Sequence, residues 1–385
     1  MFLTAAPYFH SRFEGNALIQ SKYQSAILTT STLTSLGVVL LLTKMQKTAS
    51  YPFRIASALI INTVVFVLLT VSTTVYLDAS PGQYLTFVLI MVMFTSCATG
   101  LLQNGTLAFA SSFGRPEYMQ GLVAGQAIAG ILPALAQLFS VLIFPPSDDS
   151  TSETSAFVYF LAAVAISLVS IAALLPLVRR HGRITESRIA ERLADSIDGI
   201  EHAEGALRKV TSLQTLFTKL RWLSSGVALI FTVTMFFPVF TSKVLSVQTD
   251  SKNPLFRPEA FISLAFFFWN LGDLAGRMAT VLPIQLTSRP FLLFVMSVLR
   301  VAHVPLYLLC NVDGRGAVIG SDFFYLFLVQ LPFGFTNGWL CSRLMTSAAD
   351  WVEDSEREAA GSFMGMSIMA GLAAGSLLSF TVTGI

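Results

Sequence analysis

Apolar runs long enough to cross a membrane recur along this chain and leave room for little else. They fall near 22–44, 54–77, 84–110, 118–144, 155–178, 222–244, 259–282, 291–310, 322–345 and 359–382. About 20 apolar residues in helical conformation span the ~30 Å hydrocarbon core of a bilayer. In lipid, every backbone N–H and C=O must find its partner inside the protein, so runs of this length fold as α-helices. Several are longer than a perpendicular span, which implies tilt. The opening stretch at 1–12 is apolar over about half a span and has no basic residues ahead of it. It reads as the second half of a first helix that is truncated, not as a signal peptide. The expectation is an all-α, polytopic membrane protein with about eleven transmembrane helices.

Composition agrees. Charged residues are 12% and hydrophobic ones 54% of the chain, whereas a soluble domain carries about 25% charged residues. The net charge of +2 gives no basis for nucleic-acid binding. Cys97, Cys310 and Cys341 lie in or beside apolar runs, with no CxxC spacing, and read as small buried hydrophobes. The four histidines are scattered, so neither a metal site nor a cofactor is suggested.

One long polar stretch, 179–221, divides the chain into an N-terminal six-helix part (1–178) and a C-terminal five-helix part (222–385). Other breaks are Lys44 to Arg54, with Pro52, and the turn cluster from Asp78 to Gly82. Basic residues favour one side. Sixteen fall on the side of the long loop, among them Arg54, Arg289, Arg343 and Arg357, against six on the other. By the positive-inside tendency the 179–221 loop is predicted cytosolic. Two helical halves around a long central loop form the usual layout of a secondary transporter.

Three ionisable residues lie inside predicted spans: Asp273, Arg277 and Arg300. Each costs a few kcal/mol at the bilayer centre unless it has a partner or water. Asn270, Asp273 and Arg277 are spaced i, i+3, i+7 and share one helix face, with Asp273 and Arg277 one turn apart and able to pair. Gly272 and Gly276 form a GxxxG pattern on the same helix, a motif that admits a close neighbour. The same spacing occurs at Gly121/Gly125, Gly361/Gly365 and Gly371/Gly375. The pair is open to two readings. One is a structural ion pair that fixes packing. The other is a clamp, in which the carboxylate accepts from two hydroxyls while the guanidinium donates to oxygens. Gln103 offers one acceptor and two donors from a single amide, which suits a nucleobase edge or, equally, a contact between helices. Arg300 is assigned a structural or gating role. There is no P-loop, GxSxG or HExxH motif, so neither an enzyme nor ATP coupling is supported.

Several segments together resemble one family, the equilibrative nucleoside transporters. They are Phe2 to Phe9, Gln103-Asn-Gly105 with Phe113-Gly114, Gly125-Gln-Ala-Ile-Ala-Gly130, and Asn270-Leu-Gly-Asp-Leu-Ala-Gly-Arg277. Arg300 with Pro305 and Cys310-Asn311, Thr336-Asn-Gly-Trp339, Glu358 to Met364, and Gly371 to Ser376 complete the set. The likeness covers the chain in order, and its wording is most like the fungal branch. It implies eleven helices in a 6+5 arrangement of the major-facilitator type, with transport of nucleosides, and of nucleobases as a further class, down a gradient. It also implies base contact by Gln103, ribose contact by Asp273 and Arg277, Asn270 beside them, ligand contact at Leu3, and a structural or gating role for Asn337. The membrane would be vacuolar, another endomembrane or the plasma membrane. The alternative is a carrier of similar architecture for another small polar solute such as a sugar.

Overall fold

The computed structural model describes residues 8–9, 12–13, 16–44, 50–75, 79–143, 150–195, 212–248, 253–282 and 288–379. Leu3 and most of 1–12 lie outside them, as does the 196–211 part of the long loop. Each of the ten full-length apolar runs coincides with helix. These helices are α1 (Ala17–Lys44), α2 (Tyr51–Val75), α3 (Pro81–Ser112), α4 (Pro116–Ile143) and α5 (Ser150–Asp195). After the long loop come α6 (Leu213–Thr234), the short α7 (Phe236–Thr241), α8 (Pro258–Met278), α9 (Pro290–Leu299), α10 (Leu331–Ser347) and α11 (Arg357–Ser379). Seven helical stretches among the described residues are long and apolar enough to cross a membrane. The protein is an all-α, multi-pass membrane protein.

Local chemistry sets the helix ends. Ser80 caps α3 reciprocally with Gln83, and Pro81 occupies the first turn, where a missing N–H is harmless. Pro52 does the same in α2, so the residue read as a break lies inside the first turn of a helix. The span after α9 behaves differently. It continues as a 3₁₀ segment, Arg300–Leu309, that contains Pro305. Pro305 has no N–H to give Val301, and its ring crowds that carbonyl in an α-helix. A π-helical segment, Phe324–Gln330, leads into α10.

The chain forms two compact units, Met1–Phe113 with Ser147–Val210, and Gly114–Pro146 with Thr211–Ile385. In the first, α3 packs on α1 and α2, and α5 packs on α2. Small residues bring α3 close: a Cβ on Gly100 would meet Val38 at 2.9 Å, and one on Gly105 would meet Ile55 at 2.9 Å. Phe9, Phe13, Tyr23, Phe66, Tyr84 and Phe160 fill an aromatic core. Arg54 does not lie in a loop. It is buried in the first turn of α2 and donates to Asn104 Oδ1 on α3 at 2.6 Å.

In the second unit, α8 and α10 touch backbone to backbone. A Cβ on Gly272 would lie 2.2 Å from Leu331 O, and one on Gly276 would lie 2.1 Å from Phe335 O. The contact is reciprocal, because Gly334 and Gly338 of α10 would meet Trp269 O and Asp273 O at 2.0 and 1.9 Å. Two GxxxG faces thus meet, only one of which stood out in the sequence. Gly371 and Gly375 bring α11 equally close to the Ala228 and Thr232 carbonyls of α6. Gly121 and Gly125 share the spacing, but a Cβ there meets nothing within 4 Å among the described residues. A buried amide joins three further segments: Gln330 accepts from Tyr307 at 3.0 Å and donates to Thr241 at 2.8 Å and to Tyr325 at 2.6 Å.

Candidate functional site

The polar residues of α8 lie inside the second unit, not on its surface. Asp273 is 4% exposed and Arg277 is buried with it. Their spacing does what a helix dictates: Arg277 Nε donates to Asp273 Oδ2 at 2.8 Å, one turn back. The close α8–α10 approach brings in the second donor. Asn337, one residue before Gly338, gives its Nδ2 proton to Asp273 Oδ1 at 2.6 Å. The other end of Arg277 reaches α4, where Nη1 donates to Val123 O at 2.7 Å.

The line continues away from the carboxylate. Asn337 Oδ1 accepts from Thr234 of α6 at 2.8 Å. Thr234 Oγ1 in turn accepts from Arg300 Nη1 at 3.0 Å. Arg300, 2% exposed, gives three more of its five donors to Ile230 O at 2.9 Å, Phe333 O at 3.1 Å and Thr336 Oγ1 at 3.3 Å. Its guanidinium carbon lies 4.2 Å from the centre of the Phe333 ring. A hydrogen-bonded relay therefore runs Val123–Arg277–Asp273–Asn337–Thr234–Arg300 through α4, α8, α10, α6 and the start of the 3₁₀ segment. It holds two guanidiniums and one carboxylate. Carbonyl dipoles and an aromatic face carry the second positive charge.

A planar fork suits this position and an ammonium does not, because a lysine cannot reach two carbonyls and two hydroxyls on α6 and α10 at once. Arg300→Lys should lower stability by about 1–3 kcal/mol, the cost of leaving buried acceptors unpaired. Thermal unfolding of the purified protein in detergent reads this, and an unchanged midpoint would remove Arg300 from the relay.

Asp273 keeps chemical capacity in this arrangement. A carboxylate has about four lone-pair directions, and two are taken. Asn270, half-buried on the same face, donates Nδ2 to Phe266 O at 2.8 Å, while its Oδ1 lies 2.5 Å from where a Cβ on Gly130 of α4 would be. Gly130 therefore leaves the room that the Asn270 amide uses. Gln103 is in the other unit, on α3, half-buried, with no hydrogen-bond partner for its amide among the described residues. It sits beside the buried Arg54–Asn104 pair. The structure thus joins Asp273, Arg277, Asn337 and Arg300 in one network and places Asn270 on the same helix face.

Sequence reasoning missed Thr234 and Val123. Thr234 also lies 2.7 Å from Ile230 O, four residues back, the ordinary position of a threonine in a membrane helix, and so carries no signal of a role. Val123 contributes only its carbonyl, which no side chain announces.

A bundle of membrane-crossing helices with a buried network of charged and polar side chains at its interior defines a multi-pass membrane protein with an internal polar site. The family model described as "Nucleoside transporter" matches residues 89–383. The chain belongs to the nucleoside transporter family, as its resemblance to the equilibrative members implied. The nucleoside transporter FUN26 of Saccharomyces cerevisiae is 28% identical over 98% of this chain and 80% of its own. The equilibrative nucleoside transporter 2 of Homo sapiens is 27% identical over 98% of this chain and 92% of its own. Among solved structures, the major-facilitator transporter FucP in its outward conformation aligns over 99% of this chain and 96% of its own, with a TM-score of 0.45 and 11% identity.

Proposed function

We propose that this chain carries nucleosides across a membrane by facilitated alternating access, with nucleobases as a second class of substrate. Family membership supports the substrate class. The observation that carries the site assignment is the Asp273–Arg277 pair, buried within protein with acceptor positions to spare. In this reading the two remaining lone-pair directions of Asp273 take the ribose hydroxyls, and Arg277 donates to ring or hydroxyl oxygens as its bond to Val123 loosens. Gln103 reads the base edge, with Asn270 and Leu3 lining the path. Asn337 and Arg300 hold the carboxylate in register and act as gating residues. The moving halves are 1–178 and 222–385, on either side of a cytosolic 179–221 stretch into which α5 and α6 extend. Because α4 packs against α8 in this state, that contact must be exchanged during the cycle. No ATP enters the cycle, and the membrane is vacuolar, another endomembrane or the plasma membrane.

Proteoliposomes test the reading. Uridine and adenosine should be taken up, should compete with each other, and should accelerate each other's exit from preloaded vesicles. Glucose should do none of these. Uptake of glucose in place of nucleosides would assign the site to a sugar carrier, and uptake without trans-acceleration would make it a channel.

A further inference from the structure

We propose that a lateral pocket of the second unit binds an acyl chain of a membrane phospholipid. The cavity, about 430 Å³, lies between the end of α8, α9, the start of the 3₁₀ segment and α10. That volume is within the range of small-molecule sites, about 300–1,000 Å³. Its walls are Leu282, Met296, Leu299, Phe335 and Trp339, and Arg300, His303 and Thr336 form the polar part of its lining.

Three observations choose the occupant. First, the rim is open and apolar: Leu299 is 65% and Leu282 56% exposed. In a multi-pass membrane protein such side chains face lipid. Second, the pocket runs inward from Ala279 and Leu282, just past the end of α8, to a deep inner end. Met296 is six residues beyond Pro290, and Leu340 is seven before Ser347. At 1.5 Å per residue these lie roughly 9 and 10 Å in from those helix ends, well inside the hydrocarbon layer. Third, the charge in the lining is already spent. Four of the five N–H groups of Arg300 are committed to Ile230, Thr234, Phe333 and Thr336, and the ring of the half-buried His303 lies stacked on Phe333, so the pocket offers an incoming group mostly apolar contact area. A flexible hydrocarbon chain fills such a space, and an anionic head does not.

The pocket also touches the relay, because Arg300 holds Thr234, which donates to Asn337, the donor to Asp273. A chain in the pocket therefore packs against the outer end of the network that orients the carboxylate. The inference does not depend on which solute is carried.

Photolabelling tests it. The protein is reconstituted with phosphatidylcholine that carries a diazirine on one acyl chain, irradiated, and mapped by peptide mass spectrometry. Labelling at Met296, Leu299 and Phe335 is expected several-fold above that at Val64, Leu68 and Val71, which are exposed on α2. Leu299→Trp, at an exposed position, should fill the pocket and remove that excess while leaving the α2 labelling unchanged; Ala279→Phe should act likewise. Equal labelling of the two faces, an excess that survives both variants, or displacement by a sterol but not by added phosphatidylcholine would overturn the proposal. Because the readout is covalent labelling, failure of the nucleoside assignment would leave this result intact.

Discussion

Asp273→Asn should abolish most nucleoside uptake and destabilise the protein at once. The neutral amide turns one donor edge towards Arg277 or Asn337, so one of two good hydrogen bonds becomes a donor–donor contact. It also leaves Arg277 and Arg300 buried with no carboxylate in the relay. Removing one partner of a buried pair costs about 3–5 kcal/mol, and loss of a charge-assisted bond to substrate lowers uptake per folded molecule by roughly tenfold to a hundredfold. The two effects separate by measuring uptake against the folded fraction. Asp273→Asn/Arg277→Gln removes both charges and should recover much of the stability without recovering transport. Full uptake per folded molecule in Asp273→Asn would leave the pair a packing device and end the ribose assignment.

Gly338→Ala should be nearly as damaging, though it removes no polar group. The added Cβ falls 1.9 Å from Asp273 O and 2.8 Å from Asp273 C. Both are backbone atoms in a helix, so no side chain can swing aside. α10 must move away from α8, and Asn337 moves with it, loosening its bond to Asp273. Overpacking costs about 1–3 kcal/mol where side chains can give way, and the upper end or beyond is expected here. Gly121→Ala is the matched control, since the methyl meets open space and alanine is the better helix former by about 1 kcal/mol. Thermal unfolding of the two variants side by side should show a large loss for Gly338→Ala and no loss for Gly121→Ala. Equal behaviour would mean that α8 and α10 are not held at backbone contact.

That contrast shows where the sequence was legible. The spans could be read because membrane crossing demands length and apolarity, which are local properties. The Asp273–Arg277 pair was legible for the same reason: helix geometry alone brings residues four apart together. Partnerships between helices were not. Gly272/Gly276 and Gly121/Gly125 have the same spacing, yet among the described residues only the first meets a neighbour, because the meeting depends on Gly334 and Gly338 about sixty residues away. Arg54 and Arg343 counted as loop charges, since each lies at the end of an apolar run. Each is in fact buried, Arg54 on Asn104 and Arg343 donating to Leu282 O at 2.8 Å. Hydropathy does not distinguish a flanking arginine that faces water from one that turns inward. The family resemblance supplied the substrate class, which no pattern of charge or periodicity contains.

The 3₁₀ stretch after α9 has a mechanical consequence. An α-helix rises 1.5 Å per residue and a 3₁₀-helix about 2.0 Å. Pro290–Leu309 pairs ten residues of one with ten of the other, so twenty residues reach about 35 Å where an unbroken α-helix would reach about 30 Å. The tighter winding stretches this rod, and any turn that rewinds to α would draw its two ends together and rotate Arg300 relative to Tyr307.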